Sequence, residues 1–129
     1  MSKRTGEMIT LSDLVEDIGI DAARFFFNLR QAESHFEFDL DLAIAQNNEN
    51  PVFYVQYAHA RICSIIKALA SEGVEVLPFD KINPSVLKEE SELELLKKLC
   101  ELPEESRLAA ISREPARITR YSIELATAF

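Results

Sequence analysis

The segment from Asn50 to Gly73, "NPVFYVQYAHARICSIIKALASEG", constrains the fold more than any other part of the chain. An asparagine side chain accepts hydrogen bonds from the orphan N–H groups at a helix start, and proline suits the first helical position, where no N–H is needed. No further proline or glycine interrupts the run until Gly73, a residue that ends helices by taking the left-handed conformation. One helix of roughly twenty residues follows, about 30 Å long at 1.5 Å per residue. A rod of that length needs other helices laid alongside it.

The remaining start and stop signals supply them. Thr10 stands three residues before Asp13, a capping-box spacing with Asp in place of Glu, and Gly19 is a stop, which predicts a helix over 11–18. Asp21 is placed to cap "DAARFFFNLRQ", where Ala22, Phe25, Phe26 and Leu29 share a face. In "AESHFEFDLDL", Phe36, Phe38, Leu40 and Leu42 alternate with acids, an extended stretch running into a helix near 39–48. "VEVLPFDKI" is too short and solitary for a sheet and is expected to be a loop packed across the helices. Asn83 and Pro84 repeat the cap-plus-proline start, with Val86, Leu93, Leu96 and Leu99 or Cys100 on one face of a run to Leu102. Pro103 and Pro115 mark further starts, for helices near 104–113 and 116–128. The prediction is an all-α protein, with a two- or three-helix N-terminal part over 1–48 and a helical bundle over 49–129. A last helix that runs to the final residue leads us to expect a piece of a longer protein.

With 129 residues and 47% of them apolar, the chain can bury a modest core without staples. Cys63 and Cys100 are too few for a disulfide framework, and no secretory leader is visible, which points to a reducing, cytoplasmic setting. The longest apolar runs, such as the "FFF" at 25–27, are far below the roughly 20 residues of a membrane span. A soluble protein without a membrane partner is expected. The net charge of −8 argues against a nucleic-acid partner, since phosphate binding draws on Lys and Arg. The distribution of charge along the chain argues the other way. The acids crowd into 72–105, whereas 106–129 holds Arg107, Arg113, Arg117 and Arg120 against Glu114 and Glu124, so a basic surface is possible there.

On the long helix, Val52, Val55, Ala58, Ile62, Ile66 and Leu69 fall on one side, with His59 and Ile65 at its edges. That side is expected to face the core, with His59 buried and hydrogen-bonded. Tyr54, Tyr57, Arg61 and Ser64 form a separate stripe, two stacking rings and a guanidinium within two turns. Unstacked RNA bases and their phosphates call for that chemistry. Packing against a neighbouring helix with hydroxyls at the surface explains the same stripe, and spacing alone favours it. His59 and Cys63 are four apart but make only two ligands, so no metal site is predicted, and the cysteines read as small packing residues. The three glycines form no phosphate loop, no nucleophile elbow is present, and paired acids such as Glu89 and Glu90 read as solvated helix faces. No self-sufficient enzyme is indicated.

The opening "MSKRTG" resembles the tail of the Lys-Met-Ser-Lys-Ser signature of class I aminoacyl-tRNA synthetases, in the variant with arginine last. "LVEDIGIDAARFFFNLRQAESHFEFDLDLA", with its Asp-Ala-x-Arg element at Asp21 to Arg24, resembles the segment that follows this signature in bacterial arginyl-tRNA synthetases. "NENPVFYVQYAHARICSI" resembles the opening of their anticodon-binding domain. The resemblance covers the chain in the family's order and is strongest up to Leu69. The signature's first lysine, the His-Ile-Gly-His motif and the catalytic domain are absent from this sequence. The resemblance therefore implies a fragment: the end of the signature loop, a helical connector, and the first helices of the anticodon-binding bundle. The parent attaches arginine to tRNA(Arg) using ATP and Mg; the fragment is expected to hold no cofactor and to be inactive alone.

Further expectations follow from the resemblance. Lys3 matches the lysine that stabilises the ATP phosphates in the full enzyme, where a cation offsets developing negative charge. Tyr57 and Arg61 become the leading candidates for contact with the anticodon stem-loop, with Tyr54 behind them. Arg117, Arg120 and Tyr121, three or four apart on the last helix, form a second candidate patch. The competing reading is a free-standing helical adaptor that binds another protein through an apolar surface. Such a surface also predicts self-association.

Overall fold

The computed structural model of the chain describes residues 10–31, 33–35 and 37–129, so the expectations for Lys3 and Phe36 lie outside the described residues. The helices are α1 (Leu11–Ile18), α2 (Ile20–Asn28), α3 (Leu40–Ile44), α4 (Pro51–Ser71), α5 (Glu90–Ser112) and α6 (Ala116–Ala128). The described residues contain no strand.

The capping box at the start of α1 forms as predicted. Asp13 N donates to Thr10 Oγ1 at 3.2 Å, and Thr10 N donates to Asp13 Oδ2 at 2.9 Å. Hydrogen bonds from the Thr10 hydroxyl and backbone hold the Asp13 carboxyl below its ordinary value. Gly19, at φ +79°, ends α1 and also begins α2, so Asp21 sits in the first turn of α2 instead of capping it. The turn is completed within one residue because glycine reaches that φ without strain.

Asn50 ties α3 to α4. Its Oδ1 accepts from Val52 N at 3.0 Å and Phe53 N at 3.4 Å, while its Nδ2 donates to Ala43 O at 3.0 Å and Ala45 O at 2.9 Å. One buried side chain thus satisfies both ends of the connection, using all its hydrogen-bonding atoms. The helix predicted near 39–48 is only Leu40–Ile44, because the chain must turn at Ala45 to reach that cap. Around this junction Phe26, Ala43 and Val52 form a buried cluster, flanked by Ile18, Ala22, Phe25, Phe38 and Leu42. The Phe26 and Phe38 rings meet at a tilt, with centroids 5.5 Å apart.

The second body of packing is the hairpin of α5 and α6. Lys98 Nζ pairs with Glu124 at 3.0 Å and Arg117 with Glu105 at 2.8 Å, so the two helices run antiparallel. Ala116 is fully buried where they approach, and Thr119 Oγ1 donates at 3.2 Å to Asn28 O, at the C-terminal end of the α2 ladder. Pro115 begins α6 as predicted. Pro103 does not begin a helix: it lies inside an unbroken α5. Proline removes one ladder bond and loosens the preceding turn. Tyr121 Oη donates at 3.0 Å to Lys98 O, the carbonyl next to that of Leu99, which is the one Pro103 leaves without its ladder donor.

Two more expectations are corrected. Asn83 and Pro84 cap only a 3-10 turn, Pro84–Val86, and α5 starts at Glu90 on a capping box between Glu89 and Glu92. The segment after Gly73 does not pack across the helices: Val74, Val76, Leu77 and Ile82 are all exposed.

Candidate nucleic-acid interface

α4 carries the stripe, and its two ends differ. At the N-terminal end Val52 is buried and Val55 and Ala58 are half-buried, as the face predicts. Further along, Ile62, Ile65 and Ile66 are exposed at 38%, 45% and 47%. α2 and α6 pack on α4, and Phe129, just past α6, lies beside Arg61. Within 62–66 only Cys63 is half-buried. His59 is exposed instead of buried, its ring 3.7 Å from Cys63 Sγ; Cys63 is half-buried and Cys100 is exposed. Among the described residues no third ligand joins His59 and Cys63.

On the other stripe, Tyr57 is 54% exposed, Arg61 is exposed and Tyr54 is half-buried. The Tyr57 ring lies nearly parallel to that of Phe53, with centroids 6.1 Å apart and 10° between planes. The Arg61 guanidinium carbon stands 5.7 Å from the centroid of the Phe129 ring. The arrangement presents flat apolar faces and a cation to solvent, a surface on which unstacked bases stack and phosphates are neutralised.

The candidate patch on α6 is differently placed. Tyr121 is buried, and burial, together with the nearby charge of Glu101, raises its phenol above the ordinary value. Its ring is taken up by packing against α5. Arg117 is held by Glu105, its Nε buried without a partner, and Arg107 is held by Glu104 at 2.6 Å. Arg120 is exposed and lines a cleft of about 160 Å³ with Glu101, Glu105, Arg117, Tyr121 and Glu124. The basic surface allowed by the order of charges is therefore a mixed one. Folding the hairpin lays the acids of α5 against the arginines of α6, which reverses their separation along the sequence.

Phe53 and Phe129 were not among the sequence candidates. Phe53 stands four residues before Tyr57, a spacing that places two rings together on a helix and is readable without a structure. Phe129 has no such signal, since its neighbour is far away in sequence.

Residues 55–129 match the DALR anticodon binding domain. Over all its 129 residues the chain is 60% identical to the arginine-tRNA ligase of Caldanaerobacter subterraneus subsp. tengcongensis and 55% identical to that of Acetivibrio thermocellus. In each case it covers 23% of the relative, so the chain spans about a quarter of the length of these proteins. A crystal structure of an arginyl tRNA synthetase from Campylobacter jejuni superposes with a TM-score of 0.81 at 30% identity, over 98% of this chain and 27% of that one.

Proposed function

The chain belongs to the DALR anticodon binding domain family, and from that membership we propose that it recognises the anticodon stem-loop of tRNA(Arg) within an arginine-tRNA ligase. In this reading residues 1–48 act as the connector to the catalytic part, and 49–129 as the tRNA-contacting bundle. Arginine attachment with ATP and Mg belongs to the whole ligase. The observation that carries the proposal is the exposed stripe of α4: Tyr57 and Arg61 face solvent on a helix whose matched family binds anticodons. Tyr54 supports the edge of the stripe, and Arg120 supplies a further exposed cation. No helix among the described residues is long and apolar enough to cross a membrane.

The test is a titration of the chain against an arginine tRNA anticodon stem-loop, with a scrambled loop as control, at two salt concentrations. Preferential, salt-sensitive binding to the true loop is expected. Tyr57→Ala should weaken it roughly ten-fold, the loss of about one stacked base. Arg61→Ala should lower the salt slope by about 0.7, the contribution of one single-strand phosphate. Equal binding to both loops, or unchanged binding in both variants, would remove the stripe from the interface.

A second reading concerns the chain's own association. Ile62, Ile65 and Ile66 on α4 and Leu93, Leu96 and Leu99 on α5 contribute exposed apolar side chains. Sedimentation velocity is expected to show a concentration-dependent shift to larger species, promoted by salt because the net charge of −8 opposes association. Ile66→Glu should suppress the shift. A single monomeric species at every concentration would sink this reading.

A further inference from the structure

We infer that Phe129 is a positioning residue for Arg61, and that Phe53, Tyr57, Arg61 and Phe129 work as one row that receives unstacked bases and a phosphate of single-stranded RNA. The inference rests on the RNA-binding reading above and narrows the ligand and its contacts.

The row follows from helix geometry. Positions 53, 57 and 61 are four residues apart, so each step advances about 6 Å along the axis and turns about 40°. Three side chains therefore climb α4 as an inclined row that winds about 80° around the axis over about 12 Å. Phe53 and Tyr57 are the stacked pair, half-buried and exposed respectively, so the inner ring fixes the plane of the outer one. A ring exposed at the protein surface is open to an unpaired base, whereas the faces of bases within a duplex are already covered by their neighbours, so the row suits a single-stranded loop.

Arg61 completes the row only if its guanidinium is held in place. An arginine side chain carries about 2 kcal/mol of rotamer entropy, and a mobile guanidinium loses that freedom on meeting a phosphate. Arg107 and Arg117 are held by Glu104 and Glu105, partners that occupy their N–H donors and offset their charge. Arg61 instead has the face of Phe129 at 5.7 Å. Attraction to a ring face restrains the cation without supplying an acceptor to its donors, so the donors and the full charge remain for a phosphate. Phe129 is itself 39% exposed.

The experiment measures anticodon stem-loop binding by the chain and by Phe129→Leu, Phe129→Tyr, Arg61→Met and the double variant Arg61→Met with Phe129→Leu, over a salt series. Phe129→Leu is expected to weaken binding about three-fold and to flatten the salt slope toward that of Arg61→Met; Phe129→Tyr, which keeps a ring, should bind as the unaltered chain does. In the Arg61→Met background, Phe129→Leu should cost nothing further, since the ring acts through the arginine. Thermal unfolding run alongside should move little among the variants. An undiminished loss in the Arg61→Met background, or no loss from Phe129→Leu while Arg61→Met binds poorly, would overturn the role of Phe129 and leave the RNA reading standing. Failure of the unaltered chain to distinguish the true loop from the scrambled one would overturn both.

Discussion

Replacing Asn50 with alanine is expected to lower the unfolding free energy by about 3 kcal/mol, an unusually large effect for a polar residue. The cap on Val52 N and Phe53 N is lost, a change that costs about 1 kcal/mol in ordinary helices. The carbonyls of Ala43 and Ala45 also lose their donor, and a buried carbonyl left unpaired costs about 1–3 kcal/mol. Asn50→Asp separates the two contributions, because a carboxylate keeps the acceptor for the cap but supplies no donor to the carbonyls and sets a charge against them. Both variants should be destabilised in urea unfolding, and amide exchange should speed up first in α3. A loss below about 1 kcal/mol for Asn50→Ala would mean that water replaces the side chain at little cost, and that the α3–α4 junction is held by packing alone.

Phe26→Ala is expected to cost about 4 kcal/mol, in the range found when a buried phenylalanine is truncated to alanine. Phe26 is 7% exposed and packs with Ala43 and Val52, so its removal empties the contact that joins α2, α3 and α4. The informative comparison is Ile62→Ala. The periodicity of α4 ranks Ile62 beside Val52 on the core face, yet Ile62 is 38% exposed, and a cost near 1 kcal/mol or less is expected. Equal destabilisation by the two changes in urea unfolding would show that the end of α4 is covered in solution.

The legible parts of the fold are those written in short stretches. The capping box of Thr10 and Asp13, the Asn50–Pro51 start of α4 and the Pro115 start of α6 each rest on residues within about one turn of the helix end they specify. Pro103 escapes the rule that proline opens a helix because that rule is local, while contacts on α5 such as the Tyr121 hydroxyl on Lys98 O arrive from another helix. The same meeting of helices commits Tyr121 and Arg117 of the candidate patch on α6 to α5 and leaves Arg120 exposed. Beside Arg117 and Arg120, Tyr121 has the spacing of a binding patch, but its ring and hydroxyl are committed to α5, and Arg117 is committed to Glu105.

The stripe of Tyr54, Tyr57 and Arg61 was legible as a stripe, since helical period alone sets which side chains share a face. Whether that face met solvent or another helix depended on where α2 and α6 lie against α4. The sequence by itself determined the helices, their principal starts and the relative order of side chains around each one, because those are fixed by backbone bonds and contacts a few residues long. Only the tertiary structure decided that Ile62, Ile65 and Ile66 are exposed, that Arg117 of α6 meets Glu105 of α5, and that Phe129 lies beside Arg61. Each of these is a meeting of distant residues, set by the lengths and crossing points of packed helices.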